Sequence, residues 1–248
     1  MLPPALHLPF PIEFSPDLTD LQHSLDNMSD NIYHQPPSGF SVTDATYDDV
    51  DGITQLWYDS FFRSHEFWKC ATPDDAPTRQ WLNDLWTIRI RAGPSFFRTF
   101  VVKDLSEDNK IVAFSQWMVP QTDEAKESYM PDYPPGWDLE LANALWDGMG
   151  EYKAEIMRGK RFLLGEFIGI NSAYRRQRLG AMLMDWGCRQ ADAAGVEAFH
   201  FTTKDGRLLH QSVGYQDMPM KPLTMPLRPQ TYGTYEVVPQ LRTPRATA

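Results

Sequence analysis

Three arginines and a glutamine crowd one turn of the chain: Arg175, Arg176, Gln177 and Arg178. They stand directly before a helical pattern that begins at Leu179. The first N–H groups of a helix have no partners within it. The helix dipole adds partial positive charge at that end. Leu179, Gly180 and Ala181 supply such amides, and the guanidinium groups offer bidentate contacts. The combination suits an anion, and a pyrophosphate is a natural occupant. Gly180 has no side chain to keep a ligand away from the backbone. A solvated surface turn is the other reading of the same residues.

Glu166 is the lone carboxylate between Glu155 and Asp185, inside the apolar run FLLGEFIGI. An acid in a strand that otherwise reads as core is costly unless it is paired or used. It is therefore a candidate general base, or one half of a salt bridge. His200, between Phe199 and Phe201, reads as a packed or hydrogen-bonded core residue. Trp57, Trp68, Trp81, Trp86 and Trp117 have the bulk to wall an acceptor pocket, although aromatics at helical spacing are usually core. Cys70 and Cys188 are the two cysteines, too few for a disulfide framework. They read as free thiols of a reducing compartment. His65-Glu66 is not spaced as a metal site, and no metal is expected.

The elements that position these residues follow from periodicity. Phe162 to Ile170 is a strand apolar on both faces, hence central. The basic turn leads into a helix from Leu179 to about Ala194, stopped by Gly195. Glu197 to Thr203 is the next strand, which completes a βαβ unit. Upstream, Phe40 to Ala45 is a strand. Val50, Ile53, Leu56, Trp57 and Phe61 form a helical stripe, with Asp48 or Asp49 as its N-cap. Trp81, Leu82, Leu85 and Ile88 mark a second helix. Phe96 to Asp104 and Lys110 to Val119 read as an antiparallel pair. Residues 120–160 are an insertion with a helix from Leu139 to Met157, either a lid or surface packing. After the βαβ unit, a short helix spans about Gly206 to Val213. A last strand starts at Gly214-Tyr215 and runs toward Pro226.

Charge is unevenly spread. The net charge is −10, yet no Lys or Arg precedes Arg63. Residues 1–62 hold ten acids, and the remainder balances at 23 acids and 23 bases. A basic footprint for nucleic acid is absent. No run approaches the roughly 18 apolar residues of a membrane span, and the N-terminus lacks the basic flank of a secretory signal. A cytoplasmic protein is the expectation. The divisions expected are an acidic, Pro-rich extension (1–38), a catalytic domain (39–228) and a polar, loosely held tail (229–248). Leu18, Leu21 and Leu25 would give the extension one or two helical turns.

The segment LLGEFIGINSAYRRQRLGAMLM resembles the acetyl-CoA-binding motif of the GNAT (Gcn5-related N-acetyltransferase) superfamily. That motif falls here on Arg175, Arg178 and Gly180, with Arg178 where the family has its first glycine. TTKDGRLLHQSVGY resembles the family's closing segment through Leu209 and Gly214-Tyr215, with His210 where the family has tyrosine. The insertion helix resembles the fungal-type branch. The resemblance implies a mixed α/β (α+β) fold: a mostly antiparallel sheet of six to seven strands with helices on both faces. It implies acetyl-CoA, or another acyl-CoA, bound by Ile168, Ile170 and Arg175 to Ala181. By the same resemblance, a backbone donor near Ile168 to Ile170 stabilises the oxyanion and a nearby acid protonates the departing thiolate; His210 is a candidate for that acid, or a plain helix-surface histidine. His65 follows the first helix, where family members often bind acceptor, and joins Trp57 and Trp117 as acceptor contacts.

The activity expected is N-acyl transfer, with acetyl as the donor group, to a small-molecule amine by direct attack on the thioester. Two alternatives remain at this stage. One is a repurposed fold catalysing decarboxylation or cyclisation, suggested by Arg178 and His210. The other is a non-catalytic CoA- or partner-binding module that uses the acidic leader. Nothing in the sequence sets the oligomeric state.

Overall fold

A computed structural model describes residues 36–120, 130–228 and 232–245. These belong to the compact unit Tyr33–Ala248. The helical turns expected around Leu18, Leu21 and Leu25 lie outside the described residues.

Alternation of apolar side chains produces the strands. β1 (Phe40–Asp44), β2 (Phe97–Asp104), β3 (Lys110–Met118) and β4 (Phe162–Ile170) pair in that order, each antiparallel to the next. β5 (Glu197–Thr202) lies parallel to β4, the right arrangement for two strands joined by a crossover helix. β8 (Glu236–Arg242) pairs antiparallel with β5 and is flanked by two short strands, β6 (Gln216–Asp217) and β7 (Leu223–Thr224). Among the described residues, the sheet thus has eight strands rather than six or seven, and its sole parallel contact is β4–β5.

Helices cover both faces. α1 (Val50–Trp57) continues into a π-helical turn, Tyr58–Phe62. Its N-cap is Asp49, one of the two expected, and a turn of 3-10 helix, Tyr47–Asp49, precedes it. Asp49 reaches back to accept from the Thr46 N–H at 2.9 Å and is paired with Lys103 at 2.6 Å. α2 (Glu66–Ala71) was not evident in the sequence, and six residues are too few to display a period. α3 (Ala76–Ala92) starts where the Asp75 side chain accepts from Thr78 N–H at 2.9 Å, and ends at Gly93. α4 (Leu139–Met157) is the helix of the insertion, capped by Asp138. These four pack with Val101, Phe114 and Phe167 on one face of the sheet. α5 (Leu179–Ala194) and α6 (Arg207–Ser212) lie on the other, where Leu179, Leu183 and Leu209 meet Val102, Ala113 and Leu163.

The C-terminal segment is not loosely held. β8 enters the sheet beside β5, in register from Ala198–Arg242 to Thr202–Val238. The single strand expected from Gly214 to Pro226 is instead the two short pieces β6 and β7, which border β8. Pro239 hid β8, because a proline inside a strand reads as a break. Buried ionic contacts hold it. Arg242, almost fully buried, makes two 2.7 Å hydrogen bonds to the Asp192 carboxylate of α5. Removing one partner of a buried pair leaves the other charge unsatisfied. Asp192→Asn is therefore expected to destabilise the fold by about 3 kcal/mol, read by urea denaturation. A change within error would mean that β8 is held by its strand hydrogen bonds alone.

Candidate active site

The geometry of the site begins with a strand separation. β4 and β5 pair from Phe162–Glu197 to Gly165–His200 and no further, although β4 continues to Ile170. The far half of β4 keeps its partner on the other side, β3. Asn171 N–H donates to Val112 O at 2.9 Å, so this residue faces β3. Backbone groups alternate sides along a strand. Ile170 and Ile168 therefore turn their N–H and C=O groups away from β3, into the gap left by β5.

A bulge lies at the start of the gap. Gln116 opposes Phe167 and Trp117 opposes Gly165, which leaves Glu166 as the extra residue of β4. Glu166 and Phe167 consequently both face the α4 side, where they line the same cavity. Leu164 and Glu166 share this face by ordinary alternation, and the extra residue brings Phe167 onto it beside the carboxylate.

Beyond Ile170, the chain makes a turn of 3-10 helix at Ser172–Tyr174 and then the basic turn. Arg175 N–H donates to Ser172 O at 3.3 Å, and Met182 is the next residue whose N–H bonds to backbone, to Arg178 O at 3.0 Å. Among the described residues, the six amides from Arg176 to Ala181 have no acceptor in the protein. Arg176 and Arg178 have φ of +64° and +65°, the left-handed region. Such a residue costs roughly 1–2 kcal/mol unless it is glycine. Alternating handedness is what gathers successive N–H groups around one point, as in anion-binding nests. The Arg175, Arg176, Gln177 and Arg178 side chains are all exposed, so Arg178 does not fill the place with its own side chain. The residues present fit a diphosphate. Gly180 contributes differently from expectation. A Cβ there would lie 2.8 Å from both Ile170 Cδ1 and Leu209 Cδ2, so its bareness lets α5 pack against the end of β4 and α6.

On the other face, a cavity of about 210 Å³ opens where the strands part. β4 contributes Leu164 to Phe167, and the end of β5 contributes Phe201 and Thr203. α4 closes it with Leu145, Trp146, Met149 and Lys153, and Phe61, Trp68 and Tyr235 add aromatic walls. Glu166 is ion-paired there with Arg89 of α3, which also donates to Gln116 Oε1. Arg89 is almost fully buried. Burial pulls its pKa down, and the Glu166 carboxylate opposes that shift.

The sequence-predicted residues divide clearly. Glu166, Ile168 and Ile170 gather at the gap, with Arg175 to Ala181 at its far end. His65 is half-buried, 5.6 Å from the Tyr235 ring, and burial lowers its pKa, with Asp205 and Arg175 also acting on it. Trp57 does not reach the cavity. It is core, 5.1 Å from Trp68, which does. Trp117 is corrected outright. It is fully buried on the α5 face, beside Trp186 and His200, because alternation along β3 places it with Ala113 and Ser115 on that face. His210 is buried with His200, their rings 4.6 Å apart, and is not on the cavity wall. Cys188 is a buried free thiol pushed up to about 11 by burial, an inert packing residue. Among the described residues, no cluster of His, Cys, Asp and Glu could hold a metal ion, and no helix is long and apolar enough to cross a membrane. Arg89 and Lys153 were missed. Lys153 had a readable signal, a charge on the apolar stripe of α4.

No family model matches the sequence, and no curated protein does. Solved structures do match. One is the C-terminal condensation domain of Ebony in complex with beta-alanyl-dopamine, 13% identical with TM-score 0.59, over 82% of this chain and 98% of that one. Another is a Drosophila melanogaster polyamine N-acetyltransferase, 14% identical with TM-score 0.57, over 82% and 99%. A third is a GNAT superfamily phosphinothricin acetyltransferase from Sinorhizobium meliloti in complex with AcCoA, 12% identical with TM-score 0.51, over 84% and 91%. The chain has the GNAT fold. Within that fold, the parted strands and the basic turn are both built from residues of this chain, with Arg178 in a left-handed conformation that a glycine would adopt without strain.

Burial holds His210 at about 4, outweighing its contact with Gln240, and holds His200 well below its ordinary value. Both are neutral at pH 7. In the unfolded chain they titrate near 6.5, so between pH 6.5 and 4 the unfolded state binds more protons. Stability must fall as pH falls through that window, His210 alone accounting for on the order of 3 kcal/mol. Urea unfolding at pH 4.5 and pH 7 should show this loss, and a His210→Gln variant should show less of it. Equal slopes for the two proteins would contradict a neutral, buried His210.

Proposed function

We propose that this protein is an acyl-CoA-dependent N-acyltransferase, with acetyl as the donor group and a small-molecule amine as acceptor. The observation that carries the reading is the gap between β4 and β5, with six free amides at its far end. Amides Arg176 to Ala181 and the exposed Arg175, Arg176 and Arg178 would hold the diphosphate. The cofactor supplies an acyl group activated as a thioester. Ile168 and Ile170 carry backbone groups turned into the gap, and an N–H among them would stabilise negative charge on the acyl oxygen. Glu166 faces the cavity with Oε2 held by Arg89, and Oε1 accepts from no described residue. That oxygen takes the proton of the attacking amine, directly or through one water. The aromatic walls exclude solvent and orient an apolar acceptor. His210 is assigned no proton transfer, because it is buried away from the cavity and neutral.

Fold neighbours include proteins whose names specify acetyl transfer to polyamines and to phosphinothricin, which supports transfer to small amines. Binding is the direct test. Saturating acetyl-CoA or coenzyme A is expected to raise the melting temperature by about 5 °C. Arg175→Ala should weaken acetyl-CoA binding roughly tenfold in calorimetry, the loss of one charge-assisted contact. No thermal shift with either compound would remove the reading.

A further inference from the structure

Lys153 sits in an unusual place for a lysine. Its helical neighbours at three and four positions are Met149, Gly150, Ile156 and Met157, so it rises from the apolar stripe of α4. No acid on its own helix can reach it at those spacings. It is half-buried and lines the cavity. Among the described residues it has no hydrogen-bond or ion-pair partner. The one carboxylate among the lining residues, Glu166, is already engaged by Arg89. Among the described residues, the cavity therefore holds two cations and one anion within mostly apolar walls. An ammonium group half-removed from water without a counter-charge is costly, and a ligand carboxylate relieves that cost.

We infer that the acceptor is an amphipathic amine bearing a carboxylate, an α-amino acid with a large apolar side chain, and that Lys153 holds its carboxylate. This rests on the cavity being the acceptor side of the acyltransferase. The aromatic walls take the side chain, Lys153 takes the carboxylate, and the α-amine is left to face Glu166 at the bulge. In the transfer, the amine nitrogen bonds to the acyl carbon, the carbon–sulfur bond breaks, coenzyme A leaves as the thiolate and takes its proton from solvent, and the amine proton passes to Glu166. Polyamines are disfavoured, since their charge repeats that of Lys153 and Arg89.

The test compares L-tryptophan with tryptamine, which differ by that carboxylate, using the full chain and acetyl-CoA. Wild type is expected to prefer tryptophan in kcat/KM by about 10- to 100-fold, the worth of a charge-assisted hydrogen bond. The difference should lie in KM. In Lys153→Met the preference should collapse toward unity, and Lys153→Arg should restore part of it. A wild-type preference for tryptamine, or an unchanged ratio in Lys153→Met, would overturn the inference. So would a Lys153-dependent preference for succinyl-CoA over acetyl-CoA with tryptamine, which would assign the carboxylate to the donor. If neither amine is acetylated, the acyltransferase reading fails while the Lys153 site remains testable. Calorimetry with N-acetyl-L-tryptophan would then show at least about tenfold tighter binding to wild type than to Lys153→Met, and equal binding would overturn the site.

Discussion

Two parallel strands that hold each other for four residues and then part create every other feature of the site. Had β4 and β5 paired along their full lengths, the backbone groups of Ile168 and Ile170 would be spent on the sheet. The parting point is tightly set. Gly165 is the last paired residue of β4, and a Cβ on it would lie 1.8 Å from His200 Nε2. The imidazole of its strand partner thus occupies the space that a side chain would need. One residue later, at the bulge, Glu166 faces α4, and the free half of β4 runs on to the basic turn. Sheet separation and carboxylate placement are consecutive stretches of one strand, and the anion cradle is the turn that follows it.

Electrostatics divide the site into two halves. At the far end of the gap, positive charge is exposed and, among the described residues, unpaired, suited to a ligand that arrives from water with its own negative charge. In the cavity, charge is buried and mostly paired. The Arg89–Glu166 pair is surrounded by aromatic rings, with the Arg89 guanidinium 5.8 Å from the centre of Phe167. Burying such a pair is no gain in stability by itself. Its retention beside a bulge is better explained by orientation, since Arg89 fixes one carboxylate oxygen and leaves the other toward the cavity. Lys153 departs from this pairing, and so points to what the cavity receives.

Much of this was legible in the sequence, because the central elements carry strong periods. The bounds of β4, α4 and α5 fall where their apolar patterns predict them, and the basic turn announced itself by composition. The cradle needed only local information, the residues of one turn. The acceptor cavity needed more. Its walls come from α4, β4, β5 and the segment before β8, and no spacing rule joins Trp146 to Tyr235. Trp117 lies on the α5 face with Ala113, and the sequence does not say which face of β3 meets which helices. Pro239 concealed β8, which is stabilised by buried Gln240 and Arg242 rather than by alternation. Glu166 stands out in the sequence as a lone acid in an apolar strand, but its partner Arg89 lies 77 positions away and gives no sign.

The central claim concerns backbone amides, so hydrogen–deuterium exchange with and without acetyl-CoA addresses it most directly. Slowed exchange at Arg176 to Ala181 and at Ile168 and Ile170, with other loops unaffected, is the predicted pattern. Protection confined to other segments, with those amides exchanging as fast as before, would contradict the account.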